Sequence, residues 1–237
     1  MNKIRTYKKD LPYSYTLGVF LTIELLINRP ANVLKVLLHN KANKSAGINK
    51  IINLCKENNI SYEYNDRLIS ILSNKDNCFA IGIFTKYEES LATTENHLVL
   101  VNPSDSGNLG TIIRTSLGFG IANLAIIKPA VDIFDPKTIR ASMGALFSIN
   151  FIYYNTFSSY YQEYKDHQAY PFMLEAKTNL SQVKIARPYA LIFGNEGSGL
   201  PKSYLEIGTS LVIPHKNTID SLNLSVAVAI ALYEFTK

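Results

Sequence analysis

The chain has 237 residues, of which 47% are hydrophobic and 18% are charged, so it can bury a large core and long disordered stretches are not expected. A formal net charge of +5 is compatible with a polyanionic partner, because lysine and arginine side chains neutralise phosphates. Cys55 and Cys78 lack zinc-ligand spacing, and no apolar run approaches the ~20 residues that span a bilayer, so we expect a cytoplasmic protein that binds neither a metal nor a membrane.

Residues 1–95 are predicted to form a small α/β domain. Its predicted elements, in chain order, are a helix at 15–27, a strand at 32–40, an amphipathic helix at 47–59 and a strand at 78–87. A polar stretch without an apolar period follows at 88–97, and we interpret it as the linker to a second domain at 96–237.

Positive charge is concentrated in the first part of the chain. Residues 1–97 contain 13 Lys and Arg against 9 Asp and Glu, whereas the remainder contains 11 against 10. Tyrosines alternate with basic side chains near the N-terminus: Tyr7, Tyr13 and Tyr15 among Lys3, Arg5, Lys8 and Lys9. Because tyrosine rings can stack on bases, this segment is either a nucleic-acid contact or a solvated basic tail.

From residue 98 onward, short apolar runs alternate with helical segments. The predicted strands are 97–102, 123–128, 151–154, 172–176, 189–193 and 211–215. Continuous β-branched runs between helices indicate a mainly parallel sheet covered on both faces. Ligands bind such sheets beyond the carboxyl ends of the strands, so the chemistry is expected in the loops after residues 101, 193 and 213.

The first of these loops leads into a helix that is predicted to begin near Asn108. Arg114 lies nearly two turns into that helix, in an otherwise apolar segment. Its guanidinium needs an anion, which is either a carboxylate of the chain itself or a ligand.

The second loop surrounds a single acid, Glu196, with Gly194, Gly197 and Gly199. Glycines permit positive φ and let backbone N–H groups approach a ligand closely. The pattern is neither GxGxxG nor GxxxxGK[ST], which disfavours a nicotinamide-dependent oxidoreductase and a nucleoside-triphosphate site.

The third loop precedes the last helix, whose sequence "LSVAVAIALYEF" is apolar nearly all round and predicts burial on every side. Ser221 is the predicted N-cap, which would place Asn223 in the first helical turn. An asparagine amide inside a buried helix needs polar partners, so Asn223 indicates a site.

In order along the chain, "SGNLGTIIRTSLGFG", "RASMGALF", "ALIFGNEGSGLP" and "IPHKNTIDSLNLSVAVAIALYEF" resemble the motifs of the SpoU (TrmH-type) RNA ribose 2′-O-methyltransferases of the SPOUT superfamily. The resemblance covers residues 98–237. It implies a C-terminal deep trefoil knot, S-adenosylmethionine (AdoMet) as cofactor, RNA as substrate and a homodimer formed through the knotted domain. Residues 1–95 are similar to the family's ribosomal-protein-like RNA-binding extension, which favours rRNA over tRNA as the substrate.

The resemblance also implies roles for individual residues. Catalytic or site-shaping positions match Asn108, Arg114, Glu196, Ser221 and Asn223, and cofactor-binding positions match Gly194, Gly199, Ile213 and Leu222. The third motif departs from the family's Ile-Pro-Met-x-Gly, because His215 and Asn217 replace Met and Gly.

Several interpretations stay open at the level of sequence. Because a guanidinium is a poor base, Arg114 is expected to clamp an RNA phosphate. Glu196 is expected to hold either Arg114 or the Asn108 amide. His215 is either a proton acceptor or an ordinary loop residue. The motif "DIFDP" is expected to be a solvated turn and helix cap instead of a metal site. A catalytically silent RNA-binding or ribosome-assembly protein of the same fold is the alternative function.

Overall fold

The structure is a computed structural model, and it describes residues 4–42, 45–73, 77–216 and 218–237. Contacts divide the chain into two compact units. The first comprises the described residues up to Tyr87 together with Asp132–Ser148, and the second comprises Glu88–Val131 and Ile149–Lys237. The segment Asp132–Ser148 therefore packs with the N-terminal residues. The predicted boundary near residue 95 assigns this segment to the second domain instead.

The helices and strands follow in chain order. Up to residue 87 they are β1 (Tyr13–Leu17), α1 (Val19–Asn28), β2 (Val33–Leu38), α2 (Ala46–Glu57), β3 (Tyr62–Tyr64), α3 (Asp66–Leu72) and β4 (Ala80–Thr85). Beyond it they are β5 (His97–Val101), α4 (Ser106–Gly118), β6 (Asn123–Ile127), α5 (Pro136–Ala141), β7 (Asn150–Tyr154), α6 (Phe157–Glu163), β8 (Gln168–Pro171), β9 (Thr178–Asn179), β10 (Tyr189–Phe193), β11 (Leu211–Val212) and α7 (Leu224–Thr236).

The described residues of the first unit form a four-stranded sheet in the order β1-β4-β2-β3. Strand β4 is antiparallel to β1 and β2, and β2 is parallel to β3. The helix predicted at 15–27 is wrong over its first turn, because Tyr13–Leu17 is a strand and Gly18, at φ 120°, separates it from α1. The sequence pattern also missed β3 and α3, which are only three and seven residues long.

Two N-terminal tyrosines, Tyr7 and Tyr15, form hydrogen bonds within the first unit. Tyr15 is 1% exposed and donates a hydrogen bond to the carbonyl of Arg5, so it cannot stack on a base, and this part of the nucleic-acid prediction is wrong. The Tyr7 hydroxyl donates to Asp132, and the Lys86 ammonium lies 4.9 Å from the centre of the Tyr7 ring.

The segment "DIFDP" has one role that was predicted and one that was not. Asp135 caps α5, accepting a hydrogen bond of 2.8 Å from the Lys137 N–H, which confirms the predicted helix cap. Asp132 is not solvated, because its side chain is 11% exposed and forms an ion pair of 3.1 Å with Lys86. The Ser14 hydroxyl also donates to the carbonyl of Phe134, at 2.5 Å, so this segment is bound to the first sheet.

The second unit contains a five-stranded parallel sheet, in the order β7-β6-β5-β10-β8. Strands β5, β6 and β10 are buried at every position, which explains their continuous apolar sequences and confirms the predicted mainly parallel sheet. Strand β8 spans Gln168–Pro171, so the strand predicted at 172–176 begins four residues too late. Within the described residues, no helix is long and apolar enough to cross a membrane.

Two buried histidines lie in contact in the second unit. The His97 ring is fully buried, and its centre is 4.2 Å from that of His167. Because a carbonyl can only accept, His97 Nε2 donates to the Ala92 oxygen at 2.9 Å, and Nδ1 accepts from the Tyr160 hydroxyl at 3.0 Å. Burial and, to a lesser extent, the charge of His167 lower the pKa of His97 to about 4, against the opposite effect of the Ala92 hydrogen bond.

We expect this arrangement to make the second unit sensitive to mild acid. An unfolded histidine has a pKa of about 6.5, so the unfolded chain binds the proton first. The contribution of neutral His97 is therefore complete above pH 6.5 and is lost as the pH falls to about 4, at up to about 1.4 kcal/mol per pH unit. Urea unfolding between pH 7.5 and 4.5 measures it. In His97→Gln, the pH slope should become shallower; an unchanged slope would assign the acid sensitivity to other groups.

Candidate functional site

Loops from two neighbouring strands meet at the carboxyl edge of the parallel sheet. Strands β5 and β10 are paired, with Phe193 opposite Leu100. The Asn195 amide nitrogen crosses between the two loops and donates to the Asn102 carbonyl at 2.8 Å and to the Ser104 hydroxyl at 3.3 Å. Sequence reasoning missed Asn195, although a polar side chain two residues beyond a buried parallel strand was the signal that could have identified it.

The glycines shape the loop after β10. A Cβ on Gly194 would lie 2.2 Å from the Gly199 carbonyl carbon and 2.4 Å from the Leu200 nitrogen, so only glycine fits there. Gly199 has φ +66°, which a residue with a side chain rarely adopts. Asn195 Oδ1 accepts from the N–H groups of Gly197 at 2.9 Å and Ser198 at 3.2 Å, which closes the turn.

Glu196 binds the start of α4. Its carboxylate accepts from the Ser104 hydroxyl (2.7 Å), from the N–H groups of Ser104 (3.0 Å) and Asp105 (3.2 Å), and from the Asn108 amide (3.4 Å). Partial burial alone would raise the pKa of Glu196, but these hydrogen bonds outweigh it and hold the pKa below its usual value. Of the two expected partners of Glu196, the structure has Asn108 and not Arg114.

Helix α4 begins earlier than its sequence suggested. Asp105 is its N-cap and accepts from the Asn108 N–H at 2.7 Å, so the helix starts at Ser106. This cap fixes the backbone that carries Asn108, and sequence reasoning did not identify it.

Asn108 connects the second loop to the third. Its Oδ1 accepts a hydrogen bond of 3.1 Å from Asn223 Nδ2. Asn223 is itself the N-cap of α7, because its Oδ1 accepts from the Ser225 N–H at 2.9 Å. The prediction that Ser221 caps the helix is therefore wrong, and Asn223 is an exposed residue at the helix entrance instead of a buried one in its first turn.

Helix α7 is buried on one face only. Val228, Ala231, Leu232 and Phe235 are buried, but Val226, Ile230 and Tyr233 are 47%, 38% and 61% exposed. These three exposed residues are spaced four and three apart and so form one stripe along the helix. The expectation of a helix buried on all sides is wrong.

A cavity of about 330 Å³ opens beside these loops, within the ~300–1,000 Å³ typical of ligand sites. Its lining includes Gly194, Gly199, Ile213 and Leu222, the four residues with expected cofactor contacts, as well as Ser221 and Glu196. Phe172 and Phe193 also line it, with stacked rings 4.4 Å apart. The His215 ring donates from Nδ1 to the Ile213 carbonyl at 2.9 Å.

Arg114 is the predicted site residue that the structure does not bring to the others. It is exposed on α4, is not among the residues lining the cavity, and makes no hydrogen bond or ion pair among the described residues. An internal carboxylate partner, one of the two expected anions, is therefore absent from the described part of the chain. Likewise, no three His, Cys, Asp or Glu residues there are grouped as metal ligands would be.

A parallel sheet with a ligand-sized cavity and convergent polar side chains at its carboxyl edge defines an α/β protein of the ligand-binding or group-transfer class. Residues 95–233 match the model of the SpoU rRNA Methylase family, and the chain belongs to that family.

Relatives with known names agree with this assignment. The chain is 34% identical over 149 residues to the Bacillus subtilis 23S rRNA (guanosine(2553)-2′-O)-methyltransferase RlmP, a match that covers 62% of this chain and 60% of that protein. It is 29% identical over 144 residues to a putative tRNA (cytidine(34)-2′-O)-methyltransferase of the same organism, covering 58% of this chain and 89% of that protein. The structure resembles an AdoMet-bound rRNA methyltransferase from Sinorhizobium meliloti with a TM-score of 0.78 and 25% identity, covering 94% of this chain and 87% of that one.

Proposed function

We propose that the chain is an AdoMet-dependent methyltransferase that acts on a ribose 2′-hydroxyl of RNA. The observation that carries the proposal is the hydrogen-bonded series Glu196–Asn108–Asn223, which joins three loops beside the cavity. A catalytically silent protein would not need these side chains to meet at a ligand-sized cavity. The residues expected from the family therefore support an active enzyme.

The cavity suits AdoMet in two respects. Gly194 and Gly199 line the cavity with backbone and no side chain, so a flat base can rest against them. The stacked Phe172 and Phe193 rings add an apolar wall. When bound, AdoMet would supply an electrophilic methyl group on a positively charged sulfur, and the cofactor would leave as the neutral thioether S-adenosylhomocysteine.

The chain's own residues orient the reaction. Glu196 is a poor general base, because its carboxylate already accepts five hydrogen bonds and its pKa is lowered, so we assign it to positioning Asn108. The Asn223 amide bonds to Asn108, and the Asn108 amide bonds to Glu196 of the cavity lining, so we assign these two amides to holding the ribose. Arg114 holds the RNA phosphate beside the reacting hydroxyl and stabilises the developing charge on that oxygen, while the proton leaves to the phosphate or to water.

An rRNA substrate is favoured over tRNA. The match to the tRNA-specific relative covers 89% of that protein but only 58% of this chain. That relative therefore has little that corresponds to the N-terminal unit. The rRNA methyltransferase structure matches 94% of this chain and thus includes the N-terminal unit. We assign this unit, with its surplus of Lys and Arg, to binding the RNA, and place the protein with that RNA in the cytoplasm.

Transfer of labelled methyl from AdoMet to unmodified total RNA, separated into rRNA and tRNA, tests the function. We expect label in rRNA, recovered as a 2′-O-methyl nucleoside. Label in tRNA would reject the substrate class but keep the reaction. No label in free RNA, in ribosomal subunits or in precursor rRNA, despite cofactor binding, would favour the silent RNA-binding alternative.

We also propose that the second unit is knotted and dimeric, as the family resemblance implies. If the chain forms a trefoil knot, pulling its two ends apart should give an unfolded chain with a shorter end-to-end length than an unknotted chain of the same number of residues.

Two observations support a homodimer: the stripe Val226–Ile230–Tyr233 is exposed, and Arg114 does not line the cavity of its own chain. A second copy covering α7 would bury the stripe and supply residues to the site.

Glutamate at this stripe should dissociate the dimer. Val226→Glu puts a charge into an apolar contact, and burying an unpaired charge is strongly unfavourable. We expect light scattering to find the wild type as a dimer and Val226→Glu as a folded monomer at micromolar concentration. Ile71→Glu is the matched control, since Ile71 is 49% exposed on α3 of the other unit. A monomeric wild type, or a dimer that survives Val226→Glu, rejects this interface.

Asn223 combines a helix cap with a contact to Asn108, and two substitutions separate these roles. Ser is as good an N-cap as Asn, so Asn223→Ser should change the free energy of unfolding by less than about 0.5 kcal/mol, whereas Asn223→Ala should lose about 1 kcal/mol. Both remove the donor to Asn108 and should lower kcat about tenfold with AdoMet affinity unchanged. Full activity in Asn223→Ser would leave only the capping role.

A further inference from the structure

The cavity has a charge opposite to that of the whole chain. Glu175, Glu196 and Asp220 belong to its lining, and no Lys or Arg does among the residues that the structure describes. The chain as a whole has a formal net charge of +5. A cavity with acidic residues and no basic ones in a basic protein favours a cationic ligand.

The three acids are not equivalent. The Glu196 carboxylate is occupied by the donors of Ser104, Asp105 and Asn108. Glu175 and Asp220 are exposed, and in the described parts of the chain neither has an ion pair or a side-chain hydrogen bond. Their charges are therefore not compensated locally and act on whatever occupies the cavity.

We infer that Glu175 and Asp220 make the cavity select the sulfonium cofactor over its thioether product. This inference rests on the proposed function. AdoMet and S-adenosylhomocysteine share their adenosine, amino and carboxylate groups and differ by one methyl and one positive charge at sulfur. Carboxylates at the cavity lining attract the first ligand more strongly than the second, which reduces inhibition by the product when both ligands are present.

The size of this preference for AdoMet follows from the solvent exposure of Glu175 and Asp220. At solvent-exposed positions several ångströms from the ligand, one charge pair is worth about a threefold change in affinity, and two pairs about tenfold. The effect must weaken with salt, because the Debye length falls from about 10 Å at 0.1 M to about 3 Å at 1 M ionic strength. His215 also lines the cavity, so all variants are compared in one buffer at one pH.

Calorimetric titration of the full-length protein with AdoMet and with S-adenosylhomocysteine tests this. Glu175→Gln and Asp220→Asn keep the side-chain shape and remove the charge. We expect each to weaken AdoMet about threefold with the product's affinity unchanged, and the double variant to lower the AdoMet-to-product preference about tenfold. Glu206→Gln and Asp166→Asn, exposed acids outside the cavity lining, are the matched controls.

The outcomes separate this inference from the proposed function. Equal weakening of both ligands would assign the acids to a group that the ligands share, and it would overturn the inference while keeping the function. No change for either ligand, or the same change in the control variants, would overturn it too. If the wild type binds neither ligand, the proposed function fails together with the inference.

Discussion

Arg114→Ala is expected to lower the rate of methyl transfer about 100- to 1,000-fold, the usual effect of removing one preorganised donor to a developing negative charge. The physical reason is the position of Arg114: it is exposed on α4 and has no anionic partner among the described residues of the chain, so its charge is available to an RNA phosphate. The side chain supports no packing. The free energy of unfolding should therefore change by less than about 0.5 kcal/mol.

Single-turnover kinetics with labelled AdoMet and saturating RNA measures this effect, and calorimetry with AdoMet alone verifies that the cavity is intact. Arg114→Lys keeps the charge but loses the planar fork of donors, so we expect it to recover little of the lost rate. Arg67→Ala removes an exposed arginine from the first unit and controls for general loss of charge. Near-normal turnover in Arg114→Lys would show that charge alone suffices and that the clamp geometry is wrong.

The sheet of the second unit was predictable because its three central strands, β6, β5 and β10, are buried on both faces. Burial at every position requires continuous apolar runs, and these are visible in "HLVLV", "NLAII" and "YALIF". The rule that ligands bind at the carboxyl ends of parallel strands then predicts that Asn108, Glu196 and Asn223 lie at one edge of the sheet. Their hydrogen bonds agree with that placement.

Most of the wrong sequence predictions have one physical cause: the local pattern of apolar and polar residues does not show which distant residues a segment contacts. Tyr13–Leu17 is a strand because β4 lies beside it, and Asp132 is half of an ion pair with Lys86, 46 residues away. The N-cap of α7 is Asn223 and not Ser221, and both residue types are good caps, so residue type alone does not distinguish them. Asn195 acts on the backbone of a neighbouring loop, which no residue spacing encodes, whereas Asp105 is a local N-cap that the sequence could have indicated.

Gly194→Ala should have the largest effect on the cavity itself. A methyl group there would lie 2.2 Å from the Gly199 carbonyl carbon and 2.4 Å from its oxygen, and a backbone cannot rotate away as a side chain can. The loop must move, and with it the Asn195 and Glu196 side chains that bind the loop after β5. We expect a loss of about 1–3 kcal/mol in stability, typical of overpacking, and more than tenfold weaker binding of AdoMet.

Gly197→Ala is the matched control, because it lies in the same loop and its added methyl would meet only the Asn195 side chain, at an ordinary 3.5 Å. Urea unfolding and calorimetric titration with AdoMet should therefore find Gly197→Ala close to the wild type and Gly194→Ala impaired in both. If both variants lose affinity equally, flexibility of the whole loop matters instead of the close approach at Gly194. If Gly194→Ala binds AdoMet normally, the cofactor does not depend on this loop, and the cavity beside Glu196 is not its site.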